Sequence, residues 1–210
     1  MPKGYWLPHL DVHNPQGFQA YRDTADGWHR NNGSVLLARG GKSEVVEGRM
    51  RSRNVIREFP SYEVALAAYH GPDYTRAHAL REGHADCDFP IVEGYEGPQP
   101  APVGTPPGPS ERKGYWIAHV DITDMDGYKA YQAANAKPFG MYGARFLVRG
   151  GAQDVKEGHI RSRTVVLEFP SYEAALACYR SPEYQAAKAV RAGKGEMDLV
   201  INDGHTPGST

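Results

Sequence analysis

The chain of 210 residues is one unit written twice, and no other feature of the sequence constrains its fold as much. Lys3-Gly4-Tyr5-Trp6 returns as Lys113-Gly114-Tyr115-Trp116, and Arg51-Ser52-Arg53 returns as Arg161-Ser162-Arg163. Glu58-Phe59-Pro60-Ser61-Tyr62-Glu63 returns as Glu168-Phe169-Pro170-Ser171-Tyr172-Glu173, at the same offset of 110. From Lys3 to Gly94 the alignment needs no gap, and about 40 of roughly 92 positions are identical. Whatever one half folds into, the other folds into as well.

Between the copies, residues 97–110 hold six prolines and three glycines, a composition that supports neither a helix nor an inner strand. Extended proline-rich chain advances about 3.1 Å per residue, so this segment can reach roughly 40 Å, enough to cross the face of a small domain, and is expected to tether two folded halves. The expected division is 1–96 for the first repeat, 97–112 for the linker, 113–205 for the second repeat and 206–210 for a tail.

In the second copy, Gly114 to Asp121 reads as a strand and Asp124 to about Met141 as a helix that Pro138 should kink or end. Ala144 to Arg149, Arg163 to Phe169 and Met197 to Asn202 read as further strands. Ser171 is placed to cap a helix from Tyr172, and Ser181-Pro182-Glu183 marks a second start, so that helix should break near Arg180. The order β-α-β-β-α-β is the ferredoxin-like split arrangement, an α+β fold with strand order fourth, first, third, second. Trp116, Ala118 and Val120 alternate with Tyr115 and Ile117, so the first strand is apolar on both faces. Helices cover one face. An uncovered second face of several hundred Å² would forfeit around ten kcal/mol, so the two copies are expected to pack sheet to sheet as an intramolecular dimer.

A formal net charge of -1, from 24 basic and 25 acidic side chains, provides no field to hold nucleic acid or an anionic membrane. No apolar run approaches the roughly 20 residues of a membrane span, and the N-terminus lacks a secretory pattern. Cys87 and Cys178 form no CxxC, and a reducing cytoplasm is the expected compartment. The expected molecule is a monomeric pseudo-dimer, or a further homodimer of it.

Lys113-Gly114-Tyr115-Trp116-Ile117-Ala118-His119-Val120-Asp121, Phe146-Leu147-Val148-Arg149-Gly150-Gly151, Glu168-Phe169-Pro170-Ser171 and Ser181-Pro182-Glu183-Tyr184-Gln185 carry a resemblance. Together they resemble the bacterial family called domain of unknown function 1330, of the dimeric alpha-beta barrel superfamily. The resemblance covers nearly all of each half. It implies a barrel of two sheets with a cavity between them, and no particular reaction, since superfamily relatives include cofactor-free monooxygenases, isomerases and haem proteins. The first repeat departs where Trp28-His29-Arg30 replaces Pro138-Phe139-Gly140, so two unequal sites are expected.

Polar side chains inside strands are the candidates for chemistry. His119 and its copy His9 lie on the strand face of Tyr115 and Ile117, which is expected to look into the cavity, where an imidazole suits proton transfer. The plainer reading is a histidine satisfied by its neighbours. Glu168 and its copy Glu58 could hold that imidazole in one tautomer, or pair with an arginine at a strand end. Arg149, Arg163 and their copies Arg39 and Arg53 flank a hairpin and could clamp an anion, with Tyr115 and Tyr5 beside them, or simply face solvent. Tyr128, Tyr131, Tyr172 and Tyr179 have the spacing of packed core residues, and Cys178 reads as a small core hydrophobe. His13, His29, His70, His78 and His84 lack ligand spacing, so neither a metal nor an organic cofactor is expected. Three functions fit: an acid/base enzyme acting on a small organic acid or carbonyl compound, a non-catalytic metabolite-binding protein, and a structural pseudo-dimer.

Overall fold

The computed structural model describes residues 1–29 and 33–206, with the backbone alone for residues 25–29. The first repeat forms β1 (Gly4–Trp6), β2 (His9–Val12), α1 (Pro15–His29), β3 (Val35–Arg39), β4 (Ser43–Glu47), β5 (Arg53–Phe59), α2 (Tyr62–His70), α3 (Pro72–Ala79) and β6 (Ala85–Glu93). The second forms β7 (Gly114–Ile122), α4 (Met125–Ala134), α5 (Ala136–Met141), β8 (Arg145–Arg149), β9 (Gln153–Glu157), β10 (Arg163–Phe169), α6 (Tyr172–Arg180), α7 (Pro182–Val190) and β11 (Gly195–Asp203). The expected β-α-β-β-α-β order is present twice, with one further strand, β4 or β9, between the two central strands.

The compact units are not the repeats. Unit 1 comprises Met1–Gly40, Arg51–Tyr95 and Gly151–Ile160, and unit 2 comprises Gly41–Met50, Glu96–Gly150 and Arg161–Thr210. The sheet of unit 2 runs β4-β11-β7-β10-β8, all antiparallel, which is the fourth, first, third, second order with one strand added outside. That added strand, β4, is encoded in the first repeat. Unit 1 mirrors this: β9, encoded in the second repeat, pairs with β6. Four strands per repeat were expected from the sequence, and the fifth escaped because β4 and β9 are short, charged and carry few apolar residues. Those are the marks of an edge strand, and the partner lies far away in sequence.

A buried ion pair holds each exchanged strand. In unit 1, Glu157 of β9 accepts from Arg81 Nη2 at 2.6 and 2.7 Å and from Tyr69 Oη at 3.0 Å. In unit 2, Glu47 of β4 accepts from Arg191 Nη2 at 2.6 Å, while Tyr179 Oη donates to the Val46 carbonyl at 3.0 Å. Arg81 and Arg191 are both buried, so the carboxylate supplied by the incoming strand offsets the cost of taking a guanidinium from water.

The repeated tetrapeptide is explained by a close approach. A Cβ on Gly114 would stand 2.3 Å from the Ser171 carbonyl oxygen, and one on Gly4 would stand 2.6 Å from that of Ser61. Glycine therefore lets the first strand pass beneath the start of the helix that Ser171 or Ser61 caps. Two residues on, Trp116 Nε1 donates to the Ala175 carbonyl at 3.1 Å and Trp6 Nε1 to that of Ala65 at 2.9 Å. Each tryptophan thus faces the helices and centres an aromatic cluster, with Phe59, Tyr74 and Phe89 around Trp6 and Phe169, Tyr179 and Tyr184 around Trp116. Cys178 is fully buried on α6, as its helical position suggested.

Two local expectations change. The helix from Asp124 does not end at Pro138: it breaks at Asn135, and Pro138 sits in the first turn of α5, where its missing N–H needs no partner. The first strand of unit 1 is split at Leu7-Pro8, because Pro8 has no N–H for the ladder, whereas Ile117-Ala118 keeps β7 continuous. The proline-rich segment lies against unit 2. Gln99 donates to the Phe146 carbonyl at 3.1 Å and accepts from its N–H at 2.7 Å, capping the outer edge of β8, and Val103 N–H donates to the Gly140 carbonyl at 3.2 Å.

Substituting Gly114→Ala should overpack the strand against the helix start and cost about 1–3 kcal/mol, lowering Tm by roughly 2–10 °C for a chain of this size. Gly108 has no atom within 4 Å of where a Cβ would stand, so Gly108→Ala should leave Tm unchanged in the same thermal melt.

Candidate functional site

Each unit holds a cavity on the helix-facing side of its sheet. In unit 2, Trp116 and Ala118 of β7 form the floor, Tyr128 and Tyr131 of α4 stand over it, and Arg149 ends β8 at its rim. The cavity proper is small, about 30 Å³, and it opens to solvent at its rim. Tyr128, Tyr131, Gln132 and Asn135 all line it, at the i, i+3, i+4, i+7 spacing that places side chains on one helical face. Tyr131 Oη meets Tyr184 Oη at 3.0 Å, and the Arg149 guanidinium lies 4.4 Å from the Phe146 ring centroid. Burial pushes the Tyr128 phenol up to about 12, so at neutral pH it is a donor.

The cavity of unit 1, about 50 Å³, keeps the tryptophan of the floor, with Pro8 where unit 2 has Ala118, and has a different wall. Trp6, Phe18 and Tyr21 take the places of Trp116, Tyr128 and Tyr131, but Arg22, Arg39, Arg53 and Arg57 all line it. Burial lowers the Arg53 guanidinium below its ordinary value, with Arg39 and Arg22 adding like-charge repulsion. Two unit charges about 4 Å apart near a protein surface repel by about 4 kcal/mol, so such a wall is matched to an anion. In unit 2, Gln132 and Leu167 stand at the positions of Arg22 and Arg57. Arg163, the copy of Arg53, donates instead to the Arg149 carbonyl at 2.8 Å and packs on Gly150, whose φ of 74° only glycine adopts readily.

The imidazoles lie on the opposite strand face from the tryptophans. His119 is buried, and its Nδ1 is 2.9 Å from Thr164 Oγ1, the residue directly across in the β7–β10 register. Glu168 does share that face, but it stands opposite Tyr115, four residues along, which is about 13 Å of strand. Glu168 therefore does not orient His119: it accepts from Tyr115 Oη at 3.3 Å and pairs with Arg145 at 3.7 Å. Glu58 likewise accepts from Tyr5 Oη at 2.8 Å and from Lys3. His9 Nδ1 lies 2.7 Å from Asn54 Oδ1, and because Asn54 Nδ2 donates to the Arg51 carbonyl, the imidazole is the donor. Of the anticipated residues, then, Arg39, Arg53 and Arg149 reach a cavity, while His9, His119, Glu58, Glu168, Tyr5, Tyr115 and Arg163 are not among the side chains lining either one.

A family model described as a domain of unknown function, DUF1330, matches residues 3–95 and 113–205. The chain belongs to the DUF1330 family. No curated protein matches it in sequence. Solved structures similar to it include an anthrone oxidase-like protein (14% identity, 100% of this chain and 95% of that one covered, TM-score 0.53). A haem-binding protein from Thermus thermophilus matches with 12% identity, 97% and 91% coverage and a TM-score of 0.51. A protein from Fusobacterium nucleatum described as a possible monooxygenase matches with 7% identity, 100% and 96% coverage and a TM-score of 0.54. At these identities the likeness is one of fold, that of the dimeric alpha-beta barrel proteins.

In this DUF1330 chain the side chains that line the cavities were partly hidden in the sequence. Tyr128 and Tyr131 read as core because they are core by burial as well as cavity wall. Arg22 and Arg57 carried a signal that comparison of the two copies exposes, a charge where the other copy has glutamine or leucine. The Trp28-His29-Arg30 substitution, expected to make the sites unequal, lies outside the described side chains. Among the described residues, no group of three or more His, Cys, Asp or Glu is placed to hold a metal ion, and no helix is long and apolar enough to cross a membrane.

Burial pushes the His9 imidazole from 6.5 down to about 4, against the pull of its Asn54 hydrogen bond. Unfolded chain binds this proton first, so the contribution of neutral His9 is complete above about pH 6.5 and is lost as pH falls towards 4. The loss amounts to about 3 kcal/mol. His9→Gln should flatten the decline of Tm between pH 7 and 4.5, as read from melts at half-unit intervals.

Proposed function

We propose that the protein binds small organic anions in the cavities under its helices, with Arg39 in unit 1 and Arg149 in unit 2 holding the charged group. The observation that supports this most is the recurrence of an arginine at the same position of both cavities, 110 residues apart, with no described Asp or Glu in either wall. A carboxylate fits a guanidinium through two parallel hydrogen bonds. The aromatic floor of Trp116, with the neutral Tyr128 hydroxyl and the Gln132 and Asn135 amides, suits the uncharged remainder of a small acid or carbonyl compound.

Binding is favoured over proton transfer by His119 or His9. His9 is held neutral with its Nδ1 proton committed to Asn54, and His119 is paired with Thr164 on the sheet face turned away from the cavity. The haem-binding protein among the structural relatives raises the question of haem. A haem iron takes an axial histidine, cysteine thiolate, methionine with histidine, or tyrosinate. No described histidine or cysteine lines either cavity, and burial holds the Tyr128 and Tyr131 phenols protonated. The walls do not fit a haem, and the proposal involves none.

Titration with benzoate, followed by tryptophan fluorescence or calorimetry, tests this reading. Arg149→Ala and Arg39→Ala should each weaken or remove one class of site by about tenfold or more, the scale of a charge-assisted hydrogen bond pair. His119→Asn should change affinity less than about twofold. Benzoate binding that ignores both arginines, or is abolished by His119→Asn, would count against it.

A further inference from the structure

We infer that the unit 1 cavity is a site for small dianions, a dicarboxylate or an orthophosphate group, and that the unit 2 cavity is not. This rests on the proposed anion-binding reading and assigns it a charge class. Unit 1 brings Arg22, Arg39, Arg53 and Arg57 to one wall with no described carboxylate among the lining residues. Among the described residues, unit 2 brings Arg149 alone, because Gln132 and Leu167 replace two of the four and Arg163 is turned to a backbone carbonyl. The difference is therefore three guanidinium groups between sites whose floors share a tryptophan.

The arginines come from separate elements, which gives them convergent directions. Arg22 comes from α1, Arg39 ends the edge strand β3, and Arg53 and Arg57 lie on β5. Arg57 is buried with its Nη1 donating to Ser34 Oγ at 3.1 Å, so its guanidinium is anchored at one corner. Arg22 Nε is buried with no hydrogen-bond partner among the described residues, as are Arg163 Nε and Arg191 Nε. Arg53 packs over Gly40, where a Cβ would stand 2.9 Å from its Nη1. A single carboxylate neutralises one unit of this wall. Two negative charges, either on one phosphate or on two carboxylates a few bonds apart, match donors arriving from a helix and two strands.

The sequence itself contains the control, since the second copy shows which residues the fold accepts at these positions. Arg22→Gln and Arg57→Leu convert the unit 1 wall towards that of unit 2 and should leave the fold intact, which a thermal melt verifies. If Arg57→Leu lowers Tm sharply through loss of its Ser34 bond, Arg22→Gln with Arg22→Lys as the charge-keeping partner carries the comparison alone. Calorimetry on the full chain at pH 8 would use malonate, inorganic phosphate, acetate and the neutral benzamide. Malonate or phosphate should bind at least about tenfold more tightly than acetate, and Arg39→Ala should abolish that binding where Arg149→Ala does not. Arg22→Gln should weaken the dianion about tenfold and acetate less than about twofold, with Arg22→Lys restoring most of the loss. Malonate preferred identifies a dicarboxylate, and phosphate preferred identifies a phosphate group. Acetate binding as tightly as both dianions, or dianion binding indifferent to Arg22→Gln, overturns the dianion assignment while leaving anion binding standing. Failure of all three anions to bind, or binding equal to that of benzamide, overturns both.

Discussion

Two carboxylates, Glu47 and Glu157, hold together what the repeat would otherwise leave incomplete. Each sits on a short edge strand and meets an arginine that the receiving unit has buried, Arg191 or Arg81. A buried guanidinium without a counter-charge costs several kcal/mol, and in each unit the incoming strand brings that counter-charge. Neither repeat completes a sheet from its own residues, because the outermost strand beside β6 or β11 belongs to the other copy. Stability of each unit is thereby tied to the integrity of the whole chain, which gives the duplication a physical consequence beyond its symmetry.

The same sheets organise the cavities. Alternation along a strand sends Trp116 and Ala118 to the helices and His119 to the other side, so one residue of register separates the cavity floor from the buried imidazoles. Duplication then allowed the walls to diverge. The floor residues Trp6 and Trp116 are identical, whereas Arg22 against Gln132 and Arg57 against Leu167 change the charge of the wall.

Much of this was legible in the residues. Helix starts at Ser171 and Ser181 follow from local chemistry, a hydroxyl accepting a backbone N–H and a proline tolerated in the first turn, and both occur where the spacing placed them. The limits of β10 follow from an apolar run bounded by Arg163 and Pro170. The break of the α4–α5 helix was legible only in part, since proline marks a helix start as readily as a stop. For the site, the arginines at the hairpin were identified, and Arg39, Arg53 and Arg149 reach the cavities. The pairing of His119 with Thr164 was not legible, because it depends on which residues of two strands stand opposite each other.

By itself the sequence determined the two-fold repetition, the order of elements and the faces of the strands, all of which are set within a few residues along the chain. Tertiary structure alone decided which sheet β4 and β9 would complete, which side of the sheet would hold the cavities, and which arginines would gather at one wall. Those outcomes depend on hydrogen bonds and charges between residues far apart in the chain, 144 positions for Glu47 and Arg191. Local propensity carries no information at that range, whereas a ladder of backbone bonds and one buried counter-charge settle it.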